Sequence, residues 1–248
     1  MRSMRAAVLE AEGKLGVGGL EIEDPRPGEV CVRVTDCGVC HSDLSYIDGS
    51  FPAMTPVVLG HEAAGIVEAV GRGVDHLRPG DKVVLTPLPS CGRCYFCTRG
   101  NPTLCASYSA ALVTSTRPDG TSPLSRGGEV VYRGLGMGGW AEYVVLPHEG
   151  AVKVDDDVDL AEACVIGCAV QTGVGAVFET ARVEEGATGS CWAPAASASP
   201  WCRAPAWRAR RWWSSPIRWP SGATPPCAAA PPMPWTRRRS TSPPSAWT

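Results

Sequence analysis

The chain has 248 residues, with 23 Lys and Arg against 25 Asp and Glu, and a net charge of −2. That length suits one large domain or two small ones, and the near balance of charge excludes a surface that is basic throughout. Its 12 Cys point to metal binding or thiol chemistry ahead of disulfides, because the opening MRSMRAAVLEAEG has no apolar stretch of the signal-peptide kind. No run approaches membrane-spanning length. The expectation is a cytoplasmic protein with no membrane and no nucleic-acid partner.

In chain order, MRAAVLEA (4–11) and EVCVRVTDCGVC (29–40) are short β-branched runs bounded by Gly and Pro, which predicts strands. EAAGIVEAVG (62–71), DKVVLTPL (81–88) and WAEYVVLP (140–147) repeat the pattern, with turn chemistry such as RPGD between them. Several short strands at this spacing predict a mainly β, barrel-like module over about the first 150 residues. Near Asp159 the period changes. DLAEACVIGCAVQTGVGAVFETARV carries apolar residues at helical spacing, with Asp159 or the acids before it as a cap and Gly167, Gly173 and Gly175 as interruptions.

The densest chemistry lies in CGRCYFCTRGNPTLC, which sets Cys91, Cys94, Cys97 and Cys105 at C-x2-C-x2-C-x7-C. Four thiolates in one loop close a tetrahedral shell around Zn²⁺ with no place left for substrate. An iron–sulfur cluster and four unrelated thiols are the alternatives. A second, dispersed set joins Cys40 in CGVCHSDL, His61 in LGHEAAGIVEAVG and Cys168 in ACVIGCAVQTG. One His and two Cys make a three-ligand zinc site with an open fourth position. Taken singly, Cys168, like Cys164, Cys31 and Cys37, also reads as a small core residue, and His61 as a hydrogen-bonded turn histidine.

The flanking motifs decide for the set. Gly60-His61-Glu62-x-x-Gly65-x5-Gly71-x2-Val74 is similar to the zinc signature of the zinc-containing, medium-chain alcohol dehydrogenase family. Cys40-His41-Ser42-Asp43, the four-cysteine lobe and the segment around Cys168 follow in the family's order, and the resemblance covers residues 4 to 188. It implies a GroES-like zinc-binding catalytic domain over 1–155 and a helical link over 156–188 toward a cofactor domain. It also implies two zinc ions per chain: a catalytic one on Cys40, His61 and Cys168, and a structural one on the cysteine lobe. The implied activity is oxidation of a small-molecule alcohol to an aldehyde or ketone, with hydride passing to NAD or NADP. Ser42 then corresponds to the hydroxyl that takes the alcohol proton. Asp43 and Glu62 are the carboxylates behind the ligands, Asp43 being the partner of His61. His41 and Thr172 match positions near the cofactor, and the intact family forms homo-oligomers. The position that carries a second relay histidine in some members is Ser45 here, while His76 and His148 lack motif context and are expected on the surface. A zinc-free quinone-reductase relative is the weaker enzyme reading, because the ligand set is complete. A non-catalytic zinc-binding fragment, or the product of a pseudogene, is the reading from another class.

Beyond Thr188 the composition breaks. From Gly189 to Thr248 there is no Leu, Val, Phe, Lys, Asp or Glu, while eight of the nine Trp and eight Arg fall there. The 15 basic residues before that point face all 25 acids, a net charge of −10. With one Ile and one Met as its aliphatics beyond Ala, the segment cannot bury a core and is expected to be disordered. The family's Rossmann strand and G-x-G-x-x-G loop are absent as written. Reading each codon's third base with the next codon's first two turns Trp192-Ala193 into an obligatory Gly and permits A-G-G-V-G after it. The same shift reads as two Val within Arg211 to Ser215, with aliphatics permitted on either side. It permits Asp at Pro216-Ile217, about 24 codons past the first Gly and near the interval of a ribose-binding acid. The expectation is a frameshift after Thr188, and no dehydrogenase turnover from the polypeptide as written. Nucleic-acid binding, an anionic membrane surface or recruitment of a polyproline-binding domain are the competing readings of this segment, and composition alone supports them.

Overall fold

A computed structural model describes residues 1–184; the expected out-of-frame segment 189–248 and the end of the expected link lie outside the described residues. Strand β1 (Arg2–Ala11) pairs antiparallel with β2 (Lys14–Ile22), and β3 (Glu29–Cys37) leads through a short loop into helix α1 (His41–Ile47). Next come β4 (Val57–Val58), β5 (Ala63–Val70) and β6 (Lys82–Leu85), then the cysteine-bearing loop and helix α2 (Ser109–Thr114). The hairpin of β7 (Leu124–Arg126) and β8 (Glu129–Arg133) precedes β9 (Tyr143–Pro147) and β10 (Ala151–Lys153).

β1, β2, β7, β8 and β4 close into a barrel, in which β4 runs antiparallel to β1 and parallel to β8. The other five strands form a sheet in the order β10-β6-β5-β3-β9. Side-chain alternation builds two cores from these strands. Met4, Ala6 and Val8 of β1 meet Leu20, Ile22, Val58, Leu124 and Val131 in one. Val30 and Val32 of β3 meet Val67, Val83, Leu85, Val144 and Leu146 in the other, while Cys31 between them turns to the first. The fold is the mainly β architecture expected, and no doubly wound parallel sheet is present among the described residues.

The helical segment is broken rather than continuous. α3 (Leu160–Ala163) passes into a 3-10 turn over Cys164–Gly167, then α4 (Ala169–Gly175) and a π-helical turn over Ala176–Thr180. Asp159 Oδ1 caps the start by accepting the Ala161 N–H at 2.9 Å. Leu160, Ala163 and Cys164 pack on Ala64 and Val84, so Cys164 is a core residue. No single helix among the described residues is long and apolar enough to cross a membrane.

Two differences from the sequence reading have clear causes. β2 is not anticipated because Gly16, Gly18 and Gly19 dilute its β signal. The run expected as strand to Cys40 ends at Cys37, because Cys40 caps a helix instead. One buried ion pair fastens the loop before β7 to β3: Arg117 donates to both Glu29 carboxylate oxygens, at 2.7 and 2.9 Å, and to Glu23 at 2.7 Å.

Candidate metal centres

Cys40 is the N-cap of α1, and its position is fixed by the third residue of that helix. The Cys40 N–H donates to Asp43 Oδ2 at 3.0 Å, closing a capping box in which the cap side chain is a thiol. The same carboxylate is fully buried and reaches the next segment. Its Oδ1 accepts the Gly60 N–H at 3.0 Å and lies 3.2 Å from His61 Nδ1. Asp43 therefore joins the Cys40 and His61 segments, and it leaves Nε2 as the free ring nitrogen of His61. Gly60 has φ +87, and a Cβ there would run into the Trp140 backbone and ring; glycine is what lets the chain turn into His61 at this point.

Cys168 arrives from the other end of the described chain, between the 3-10 turn and α4. Its neighbour Gly167 passes so close to the Leu85 carbonyl on β6 that no side chain fits. The result is that Cys40 Sγ and Cys168 Sγ lie 3.9 Å apart, and the ligand atoms of Cys40, His61 and Cys168 all fall within 4.8 Å of one another. Two thiolates at about 2.3 Å from a tetrahedral Zn²⁺ stand about 3.8 Å apart, so the sulfur pair fits that ion.

Burial and hydrogen bonding perturb the titratable groups of this centre. Burial opposes a charged His61 ring, but hydrogen bonds to Asp43 and Cys168 outweigh it and push the imidazole up to about 10. Burial opposes a charged Cys40 as well, yet hydrogen bonding from Ser42 and the nearby His61 hold its thiol below the ordinary value. Glu62 is 1 % exposed, burial raises its pKa, and Oε1 has no hydrogen-bond partner among the described residues. Two sulfurs and one imidazole nitrogen thus meet beside two buried carboxylates, a donor set that suits a zinc ion.

The remaining expected site residues lie around this centre. Ser42 Oγ is 3.8 Å from Cys40 Sγ. His41 is exposed, with Nδ1 3.5 Å from Ser45 Oγ, and Thr172 is exposed one turn past Cys168. His76 is exposed, but His148 is not the free surface residue expected: it is half-buried, its ring stands 5.0 Å from that of His76, and its Nδ1 is enclosed. The residue that sequence reading misses is Trp140, whose indole N–H donates to Gly38 O at 3.2 Å beside the Cys40 segment. Its signal was its solitude: it is the one Trp before position 189.

The four lobe cysteines follow β6 in a loop of two 3-10 turns, Cys97–Arg99 and Pro102–Leu104, and their sulfurs also lie within 4.8 Å of one another. Hydrogen bonding from Ser107 and from the loop backbone brings the Cys91 thiol down to about 6, whereas burial pushes Cys97 up to about 12. The Cys91 N–H donates to Cys105 Sγ at 3.3 Å. Backbone N–H groups aimed at clustered sulfurs stabilise thiolates, as a closed tetrathiolate shell requires.

With this geometry in place, the family model for the alcohol dehydrogenase GroES-like domain matches residues 26–156. The chain belongs to this family. It is 38 % identical over 188 residues to an alcohol dehydrogenase class-3 of Drosophila melanogaster, covering 75 % of this chain and 50 % of that protein. An Escherichia coli S-(hydroxymethyl)glutathione dehydrogenase is 39 % identical over 184 residues, with 73 % of this chain and 50 % of that protein covered. The chain spans about half the length of the curated relatives it matches. Among solved structures, an alcohol dehydrogenase zinc-binding domain protein from Burkholderia ambifaria superposes with a TM-score of 0.78 at 34 % identity, covering 84 % of this chain and 56 % of that one. The match covers all five strands of the open sheet and the segments of Cys40, His61 and the four lobe cysteines, while β1, β2 and Cys168 lie outside it.

Proposed function

We propose that this domain belongs to a zinc-dependent alcohol dehydrogenase that oxidises a small-molecule alcohol to an aldehyde or ketone with NAD or NADP. The observation that carries the reading is the meeting of Cys40, His61 and Cys168, from three distant segments, within 4.8 Å. Cys40, His61 and Cys168 would hold a zinc ion, which would supply the Lewis acidity that lowers an alcohol's pKa. Ser42, whose hydroxyl lies 3.8 Å from Cys40 Sγ, takes the alcohol proton toward solvent. Asp43 fixes the His61 tautomer, and Glu62 lies buried behind the ligands. His41 and Thr172, both exposed beside the centre, face the cofactor. The lobe of Cys91, Cys94, Cys97 and Cys105 holds a second, structural zinc, for a total of two per chain.

In this reading the domain covers 1–155, the link 156–188, and residues 189–248 follow a change of reading frame after Thr188. The intact enzyme is a cytoplasmic homo-oligomer, whereas the polypeptide as written binds zinc without turning over alcohol. The test has two arms. Metal analysis of the chain as written is expected to give two zinc equivalents, and one equivalent would remove the catalytic centre from the reading. An NAD⁺-dependent rate with a primary alcohol, from protein of verified mass, would overturn the loss of turnover. Sequencing the gene across codon 188 decides the frame.

A further inference from the structure

Trp140 reaches both the Cys40 segment and the His61 segment of the three-ligand centre. Its indole N–H donates to Gly38 O at 3.2 Å, two residues before Cys40, where the Cys37 thiol is the other, more distant donor at 3.6 Å. Its backbone N–H donates to Leu59 O at 2.9 Å, and the preceding Gly139 N–H donates to Gly60 O at 2.7 Å, so the 139–140 backbone is laced to the two residues before His61. The ring lies against Gly60 so closely that a Cβ on Gly60 would overlap it. Trp140 also packs against both the barrel core and the cluster of Leu9, Tyr46, Val57 and Leu59, in which Tyr46 belongs to α1. On its other side the Trp140 carbonyl accepts the Ala7 N–H of β1 at 2.8 Å.

These contacts have one geometric effect. The Cys40 segment and the His61 segment are joined by the Asp43 carboxylate, by the Gly38 N–H, which donates to Glu62 O at 2.8 Å, and by the side chain and backbone of Trp140. The first fixes the polar groups of both segments, and the second anchors the start of the loop 38–40 beside the residue after His61. The indole packs across what remains between the loop and the turn 60–61, with its ring on one segment and its N–H on the other.

We propose that Trp140 is a positioning residue that sets the spacing between Cys40 and His61 at the zinc centre. The proposal rests on the three-ligand reading of that centre, and the measurements separate the two. Zinc-loaded full chain is challenged with a chromogenic chelator, and release of each equivalent is followed; Cys97→Ser, which empties the lobe, assigns the equivalents. Trp140→Phe keeps the ring and deletes one neutral hydrogen bond, so zinc is expected to leave the three-ligand centre about fivefold more readily. Trp140→Ala deletes both contacts and is expected to weaken retention by about 10–100-fold, the range seen when supporting residues of a metal site are lost. The lobe equivalent keeps its wild-type release rate in both variants.

Cobalt exchanged into the three-ligand centre gives visible bands that report ligand geometry, and a graded shift from Trp through Phe to Ala is expected. A general loss of stability would not produce such a graded shift. Should Trp140→Ala fail to fold, the Phe variant still decides. Wild-type release of both equivalents from Trp140→Phe, with unmoved cobalt bands, overturns the proposal. A wild-type chain that holds one equivalent in the lobe overturns the centre itself, and the positioning role with it.

Discussion

Replacing Asp43 by Asn tests how much of the three-ligand centre depends on one buried carboxylate. Asp43 is fully buried and accepts from the Cys40 N–H and the Gly60 N–H, each at 3.0 Å, while Oδ1 stands 3.2 Å from His61 Nδ1. An amide keeps one acceptor oxygen and puts an NH₂ group where the other was. If the oxygen takes the Oδ1 place, the Cys40 N–H faces a donor; if it takes the Oδ2 place, Gly60 and His61 both do. The first arrangement is cheaper and leaves one buried donor unpaired, a cost of about 1–3 kcal/mol. Because zinc binding requires the same loop geometry, the expected loss of zinc affinity is about 10–100-fold. The same destabilisation lowers the melting temperature by about 2–4 °C for each kcal/mol in a domain of this size. Chelator competition on Asp43→Asn measures the first and thermal unfolding the second, with Cys97→Ser protein confining the metal to one centre. Wild-type affinity in Asp43→Asn would refute the reasoning, since it would mean that the loop holds its shape without the carboxylate.

Three further outcomes follow from other parts of the molecule. Arg117→Ala leaves Glu29 nearly buried without its bidentate partner, so denaturant unfolding is expected to show a loss of about 3–5 kcal/mol; a change under 1 kcal/mol would mean that water reaches the carboxylate. Cys97→Ser is expected to release one zinc equivalent and leave the other in place, as judged by metal analysis after gel filtration. Loss of both equivalents together would show that the centres are coupled. Asp81 is held below its ordinary pKa, chiefly by the Lys153 ammonium at 2.6 Å. A carboxylate depressed in the folded state adds stability above its unfolded pKa, and that stability is lost as pH falls through the folded value. Asp81→Asn is therefore expected to flatten the acid limb of a stability–pH curve below about pH 4, and an unchanged limb would remove Asp81 from the account.

What was legible in the sequence divides by range. β1, β3, β5, β6 and β9 announce themselves through β-branched alternation, because each buries at least one face. The hairpin of β7 and β8 carried a signal that was passed over: Gly127 and Gly128 both adopt positive φ in its turn, the pattern that two-residue hairpin loops favour. Helix α1 spans seven residues, HSDLSYI, and shows no periodic apolar face long enough to read. The lobe could be read from spacing alone, since four cysteines in fifteen residues bring their sulfurs together locally. The trio of Cys40, His61 and Cys168 has no such local pattern and was legible only through resemblance. Trp140 had neither, because its role depends on which strand lies across from Gly38 and Gly60.

That division has a mechanical consequence. The lobe ligands all lie between Cys91 and Cys105, so the loop can hold its metal while the rest of the domain loosens. The trio exists only while β3, the turn before β5 and the start of α4 keep their places, with Asp43 and Trp140 bridging the first two. The segment of Cys168 is held by Gly167 against β6 and by α3 against Ala64 and Val84. Of the three ligands, Cys168 is thus the one held without the Asp43 carboxylate, by packing together with hydrogen bonds to the His61 and Glu62 side chains.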